Sequence, residues 1–252
     1  MRISGLRGAL ATTLAAMLAT HLVACAPPPP VATAPAPRAG TGPLPATVPA
    51  VPPPPVPEGP PVVSDAVAES LLVDVKRVVP SVRLEVRYAT PYNFMGEVLP
   101  GYQAARVLLR REAADSLAVV AADLAQEGLG LKLFDGYRPV RATAAMIAWT
   151  QRVQREDLVR DGYIAERSRH NLGLAIDLTL VDLATGQELK MGTAFDTFSA
   201  AAHTDNATGV FAANRQRLRR AMEARGFRNL AEEWWHYSFD VPDPLRFDLV
   251  IR

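Results

Sequence analysis

Between residues 82 and 88 the chain reads "VRLEVRY", with Val82, Leu84, Val86 and Tyr88 alternating with Arg83, Glu85 and Arg87. A period of two predicts a half-buried strand. The period then changes. Over 105–127, Leu109, Ala113, Leu117, Val120 and Leu124 recur at steps of three and four, which predicts an amphipathic helix ended by Gly128. "LKLFD" at 131–135 predicts a short strand, followed by the turn "GYRP", whose Pro139 can open a second helix running through Trp149 and Val153. In "LAIDLTLVDL" Leu174, Ile176, Leu178 and Leu180 share one strand face, and Ala175, Asp177 and Thr179 share the other. A "TG" turn at 185–186, a third helix over 211–225 with Leu218 and Met222 on its apolar side, and the aromatic strand "WWHYSF" complete the pattern. Helices and strands mix without a regular βαβ alternation or an internal repeat. The expected class is α+β: a central, mostly antiparallel sheet with flanking helices.

The first 61 residues follow a different rule. Sixteen of the 22 prolines fall between Pro27 and Pro61. Each fixes φ and removes a backbone donor, so the stretch is expected to be a disordered or polyproline-like stalk. Ahead of it, Arg2 and Arg7 precede the apolar run "GALATTLAAMLATHLVA", which has the charged start and apolar middle of a signal peptide. The run ends in "LVAC", which resembles the lipobox of bacterial lipoproteins and implies cleavage before Cys25 and lipidation there. A secreted protein with a chance cysteine at that point is the alternative. The expected division is a signal peptide over 1–24, a lipidated and Pro-rich linker over 25–61, and a folded domain over 62–252. The expected location is an exported lipoprotein facing the periplasm, membrane-bound through its N-terminal lipid. With Ala26 after the cysteine, and no aspartate there, the outer membrane is expected if the host is Gram-negative. Because Cys25 is the single cysteine, neither a disulfide nor a cysteine-based zinc site can form within the chain. A formal net charge of +1, with both signs interspersed, gives no reason to expect a nucleic-acid partner.

Four histidines are present, and His21 leaves with the signal peptide. His170 lies in "SRHNLGLAIDLTL", seven residues before Asp177, and Gly173 between them lets the chain turn. Asp177 sits among small neighbours, with room beside it for a metal or ligand. Together with His236 in "EEWWHYSF", these residues offer two imidazoles and a carboxylate, the donor set of a catalytic zinc site with an open position. Glu233, three residues before His236, would then be free to act as a base. Spacing alone leaves other readings open: a satisfied core histidine, an Asp177–arginine pair, and tryptophans that only pack.

The motifs themselves go further. "SRHNLGLAID" fits S-x-H-x-x-G-x-A-x-D and "EWWH" fits E-x-W-H. The chain thereby resembles the D-alanyl-D-alanine dipeptidases, within the lysostaphin-like, D-Ala-D-Ala metallopeptidase and hedgehog group. The likeness runs from about Tyr88 to Phe239 through "YATPYNF", "GYQAARVLL", "FDGYRPVRA", "MGTAFD" and "EEWWHY". This resemblance implies one Zn2+ held by His170, Asp177 and His236, with Glu233 as general base and then acid. It also implies that Arg138 stabilises the oxyanion, that Asp196 receives the ammonium of the dipeptide, and that Ser168 contacts the terminal carboxylate. Asp135 is expected to hold Arg138, with a surface salt bridge as the alternative. His203 has no assigned role.

The expected reaction is hydrolysis of D-Ala-D-Ala to two D-alanines. An enzyme anchored outside the cytoplasm cannot deplete the precursor pool, so salvage or cell-wall turnover is expected rather than antibiotic resistance. The alternatives are a D,D- or L,D-carboxypeptidase acting on peptidoglycan stems and, in another class, a non-catalytic cell-wall-binding lipoprotein.

Overall fold

A computed structural model describes residues 61–252. The expected signal peptide, Cys25 and the stalk as far as Pro60 lie outside the described residues. Among the described residues no helix is long and apolar enough to cross a membrane.

In chain order the elements are α1 (Asp65–Leu71), β1 (Leu72–Asp74), α2 (Val75–Val78), β2 (Arg83–Leu84), β3 (Leu108–Arg110), α3 (Arg111–Gln126), β4 (Leu129–Asp135), α4 (Val140–Arg152), α5 (Asp157–Arg160), β5 (Ala175–Asp182), α6 (Gly209–Glu223), β6 (Phe227–Leu230) and β7 (Glu233–Phe239). Short 3-10 turns occupy Arg87–Ala89, Arg169–Leu172 and Ala200–Ala202. The main sheet has five strands in the order β2-β4-β5-β7-β6. Only β2 runs parallel to its neighbour; β4, β5, β7 and β6 pair antiparallel in sequence across the sheet. A separate antiparallel pair joins β1 to β3. The architecture is the expected α+β.

Hydrophobic periodicity explains the layers. α3 buries Ala113, Ala114, Leu117, Val120, Ala121 and Leu124, one stripe of a 3.6-residue helix. α6 buries Leu218 and Met222, and α3 and α6 pack on each other and on the sheet. β5 is central, and every residue from Ala175 to Val181 is buried, so both faces of the strand are covered. Its Ile176, Leu178 and Leu180 are fully enclosed.

Two expectations need correction. The stretch 82–88 is not one strand: only Arg83 and Leu84 pair with β4, and the chain then turns through the Arg87–Ala89 turn. Its alternation is real as burial, because Val82, Val86 and Tyr88 all point inward. An extended segment can bury alternate side chains without a ladder partner. The helix expected over 105–127 starts at Arg111. Leu108–Arg110 instead forms β3, paired with β1, so Leu109 is a strand residue.

One irregularity matters for the site. Leu133 on β4 faces Leu178 on β5, but Asp135 faces Asp177, so two steps on β4 match one on β5. This is a bulge, and it inserts one residue. In unbroken register Asp135 would oppose Ile176 and point to the other face. The bulge turns its carboxylate to the same face as Asp177.

Candidate active site

The central strands bring three polar side chains into line. Asp135 on β4 is opposite Asp177 on β5, and Asp177 is opposite His236 on β7. His170 reaches them from the Arg169–Leu172 turn, which Ser168 caps by accepting from the His170 N–H at 3.2 Å. Gly173 ends that turn at φ 62°, where a Cβ would meet Leu72 Cδ2 at 2.5 Å. The left-handed φ favours glycine there, and an added Cβ would also have to displace the tip of Leu72.

His170 Nε2 lies 3.2 Å from His236 Nδ1 and 3.4 Å from Asp177 Oδ2. His236 Nδ1 is 3.0 Å from Asp177 Oδ1. On its far side, His170 Nδ1 donates to the Gly136 carbonyl at 2.6 Å, which fixes the proton there and turns the Nε2 lone pair toward the cluster. Two imidazole nitrogens and a carboxylate thus converge in a buried place, a donor set suited to a divalent metal ion. In the absence of a metal His236 Nδ1 can donate to Asp177 Oδ1, and a bound cation would take the place of that proton. The residues fit a metal.

The electrostatics follow from burial. Burial alone would raise the Asp177 carboxyl, but the His170 and His236 rings beside it hold it far below the usual carboxylate range. Burial lowers the proton affinity of His236, partly opposed by Asp177, which favours the neutral ring a metal needs. Glu233 opens β7, with its carboxylate 3.8 Å from His236 Nδ1. Burial, then the charges of Asp177 and Asp196, push its proton affinity well up.

Arg138 is buried beside these groups. Its Nε and Nη2 donate to Asp135 Oδ2 at 3.0 and 2.9 Å, its Nη2 is 3.9 Å from Asp177, and its guanidinium lies 4.9 Å from the centre of the Tyr88 ring. The Asp135–Arg138 pair is therefore a buried pair, not the surface salt bridge held open as an alternative. Asp135 also accepts from Tyr102 Oη at 2.7 Å, so its oxygens are well engaged.

Asp196 comes from the loop between β5 and α6 and has φ 59°, an uncommon conformation for a residue with a side chain. Tyr88 Oη lies 3.1 Å from both of its carboxylate oxygens. Burial, reinforced by Asp177, pushes this carboxyl up to about 8. The preceding Phe195 stacks on Phe134 with ring centres 4.7 Å apart. Asp196, Glu233, Ser168, Arg138, His170 and His236 line one cavity of about 230 Å³, small beside the roughly 300–1,000 Å³ common for ligand sites. A larger cavity of about 570 Å³, bounded by α1, α2 and the C-terminal residues, contains none of this chemistry.

The structure thus brings every candidate residue of the folded domain into one region. His203 stands apart from the metal donors, its Nε2 3.4 Å from Tyr163 Oη. Three residues were not singled out from the sequence: Tyr88 and Tyr102, which hold Asp196 and Asp135, and Arg215 on α6. Arg215 is 1% exposed and has no carboxylate partner among its hydrogen bonds. It donates to the carbonyls of Met191 at 2.7 Å, His203 at 2.6 Å and Ala201 at 3.0 Å, tying both ends of the Asp196 loop to one guanidinium. The only hint in sequence is an arginine at an inward position of an otherwise amphipathic helix.

Comparison with known proteins shows the family. A family model described as D-ala-D-ala dipeptidase (Peptidase_M15) matches residues 68–245. A D-alanyl-D-alanine dipeptidase of Enterococcus faecium is 38% identical over 184 residues, 66% of this chain and 91% of that protein. Proteins of the same name match at 36% identity in Enterococcus faecalis, over 65% of this chain and 89% of the other, and at 35% in Streptomyces coelicolor, over 68% and 92%. With a buried two-histidine, one-aspartate donor set, an adjacent glutamate and a family match across most of the folded residues, the chain belongs to the D-Ala-D-Ala dipeptidase family of metallopeptidases.

Proposed function

We propose that this protein is a zinc-dependent dipeptidase that hydrolyses D-Ala-D-Ala to two D-alanines. The observation that carries the reading is the single small cavity holding a metal-donor cluster, a buried glutamate and a separate buried carboxylate, Asp196. The names of the similar proteins support the substrate.

His170, Asp177 and His236 would hold the zinc ion; when bound, it supplies Lewis acidity that activates water and polarises the scissile carbonyl. Glu233 takes the proton of the attacking water. It then delivers that proton to the leaving amine. Arg138, held by Asp135, sets a fixed positive charge where the carbonyl oxygen becomes negative. Asp196 receives the substrate ammonium, and Ser168 offers a hydroxyl to the terminal carboxylate. An acidic residue at the amino end favours free dipeptides, since a longer peptide carries no charge there. That disfavours a carboxypeptidase acting on stem peptides, and an intact base beside the metal donors is superfluous in a pure binder.

The cell-biological part of the reading rests on the N-terminal sequence. Export, cleavage before Cys25 and lipidation there would place the domain 62–252 on a stalk at the periplasmic face of a membrane, in salvage or wall turnover. Labelled fatty acid incorporated into the wild type and absent from Cys25→Ser would support the anchor; equal labelling would reject it. The enzymatic reading is tested by incubating the full chain with D-Ala-D-Ala and zinc, with and without chelator. The expected result is D-alanine released only with metal; a folded, zinc-loaded chain that releases none would rule the reading out.

A further inference from the structure

The cavity that holds Glu233 and Asp196 is lined by three arginines, Arg138, Arg167 and Arg169. Two of them are committed. Arg138 is buried and bound through two nitrogens to Asp135. Arg169 donates to the Phe239 carbonyl and, at 2.6 Å, to Asp240. Arg167 is exposed, and among the described residues no acceptor or ring engages its guanidinium.

A free dipeptide carries an ammonium at one end and a carboxylate at the other. Asp196 answers the ammonium. In the cavity the carboxylate enters, Arg138 is bound to Asp135 and Asp177 is among the proposed metal donors, so an uncommitted cation at the rim would favour it. The neighbouring Ser168 hydroxyl can donate one hydrogen bond but carries no charge, and its oxygen already accepts from the His170 N–H. A guanidinium offers two parallel donors that match the two oxygens of a carboxylate, on a stem long enough to swing from the rim.

Resting on the dipeptidase reading above, we infer that Arg167 binds the C-terminal carboxylate of the substrate and sets specificity for peptides with a free C-terminus. The cavity then reads both ends of its substrate, Asp196 the amino end and Arg167 the carboxyl end. Extending a peptide at either end removes one ion pair.

The test is steady-state kinetics of the full zinc-loaded chain on D-Ala-D-Ala and on its C-terminal amide, for the wild type, Arg167→Gln and Arg167→Lys. A charge-assisted hydrogen-bond pair lost from binding predicts about a tenfold fall in kcat/KM on D-Ala-D-Ala for Arg167→Gln, carried by KM. The amide, with no carboxylate to lose, should show the same kcat/KM in both proteins, and Arg167→Lys, which keeps the charge without the paired donors, should recover part of the loss. Equal losses on dipeptide and amide, or unchanged kinetics on the dipeptide, would overturn the inference while leaving the dipeptidase intact. A wild type that leaves D-Ala-D-Ala uncut overturns both.

Discussion

The two halves of this site are built differently. Asp177 and His236 stand opposite each other on hydrogen-bonded strands at the middle of the sheet, backed by a fully buried β5. Asp196 stands on a loop with no ladder partner, at a left-handed φ, and is kept in place by side chains from elsewhere. Tyr88 reaches its carboxylate, Phe134 stacks on its neighbour, Trp234 Nε1 donates to Thr193 Oγ1 at 2.8 Å, and Arg215 ties the loop ends. On the proposed function, the difference separates two tasks. Groups that carry out hydrolysis need fixed mutual geometry, which neighbouring strands supply. Groups that choose the substrate can sit on a loop, where sequence is freer to vary, provided the loop is pinned.

This division leads to graded expectations. The largest effect should come from the strand half. Glu233→Gln should lower kcat on D-Ala-D-Ala by roughly 10²–10⁴-fold with little change in KM, read by D-alanine release. Removing a metal donor, as in His236→Ala, should abolish both turnover and stoichiometric zinc uptake measured on the purified chain.

Next comes the pair beneath Arg138. Asp135→Ala leaves a buried guanidinium and a buried tyrosine hydroxyl without their carboxylate, which should destabilise the fold by about 3–5 kcal/mol in denaturant titrations. A change within a few tenths of a kcal/mol would mean the pair is replaced by water.

The loop half should show itself in pH. Asp196 has its folded value raised to about 8, against an ordinary value of 3.8. A carboxyl raised on folding contributes stability that is fully present below its unfolded pKa and is lost as pH rises through the folded one. The metal-free chain should therefore lose stability between about pH 4 and pH 8, by a few kcal/mol at most, and Asp196→Asn should flatten that slope. Smallest is the anchoring effect. Arg215→Lys keeps the charge but cannot span three carbonyls, so KM for the dipeptide should rise about tenfold while kcat changes less. A proportional loss of kcat at constant KM would show that Arg215 supports the fold generally and not the Asp196 loop.

Sequence revealed the strand half far better than the loop half. The candidate metal donors and Glu233 lie in short motifs that carry the family resemblance, though their spacing alone left other readings open, and β7 formed where "WWHYSF" placed it, with Glu233 added at its start. α4 and α6 also match their apolar patterns to within two residues at either end. What could not be read depends on tertiary partners. The apolar run ahead of α3 fits a helix or a strand equally well, and only pairing with β1 decides for β3. The bulge that turns Asp135 toward the site has no signature in "LKLFD". Tyr88 looked like the end of a strand, and its contact with Asp196 spans 108 residues of sequence. Arg215 serves carbonyls up to 24 residues away, through hydrogen bonds that carry no residue-type signal at the acceptor end.

On the proposed function the sheet performs hydrolysis and the Asp196 loop selects the substrate. The most direct test of this division is the kinetics of Asp196→Asn beside the wild type on D-Ala-D-Ala and on N-acetyl-D-Ala-D-Ala. The wild type should strongly prefer the free dipeptide, and the variant should lose this preference through a raised KM for the dipeptide. A variant whose kcat collapses equally on both substrates, with the preference intact, would contradict the division and move Asp196 into the hydrolytic machinery.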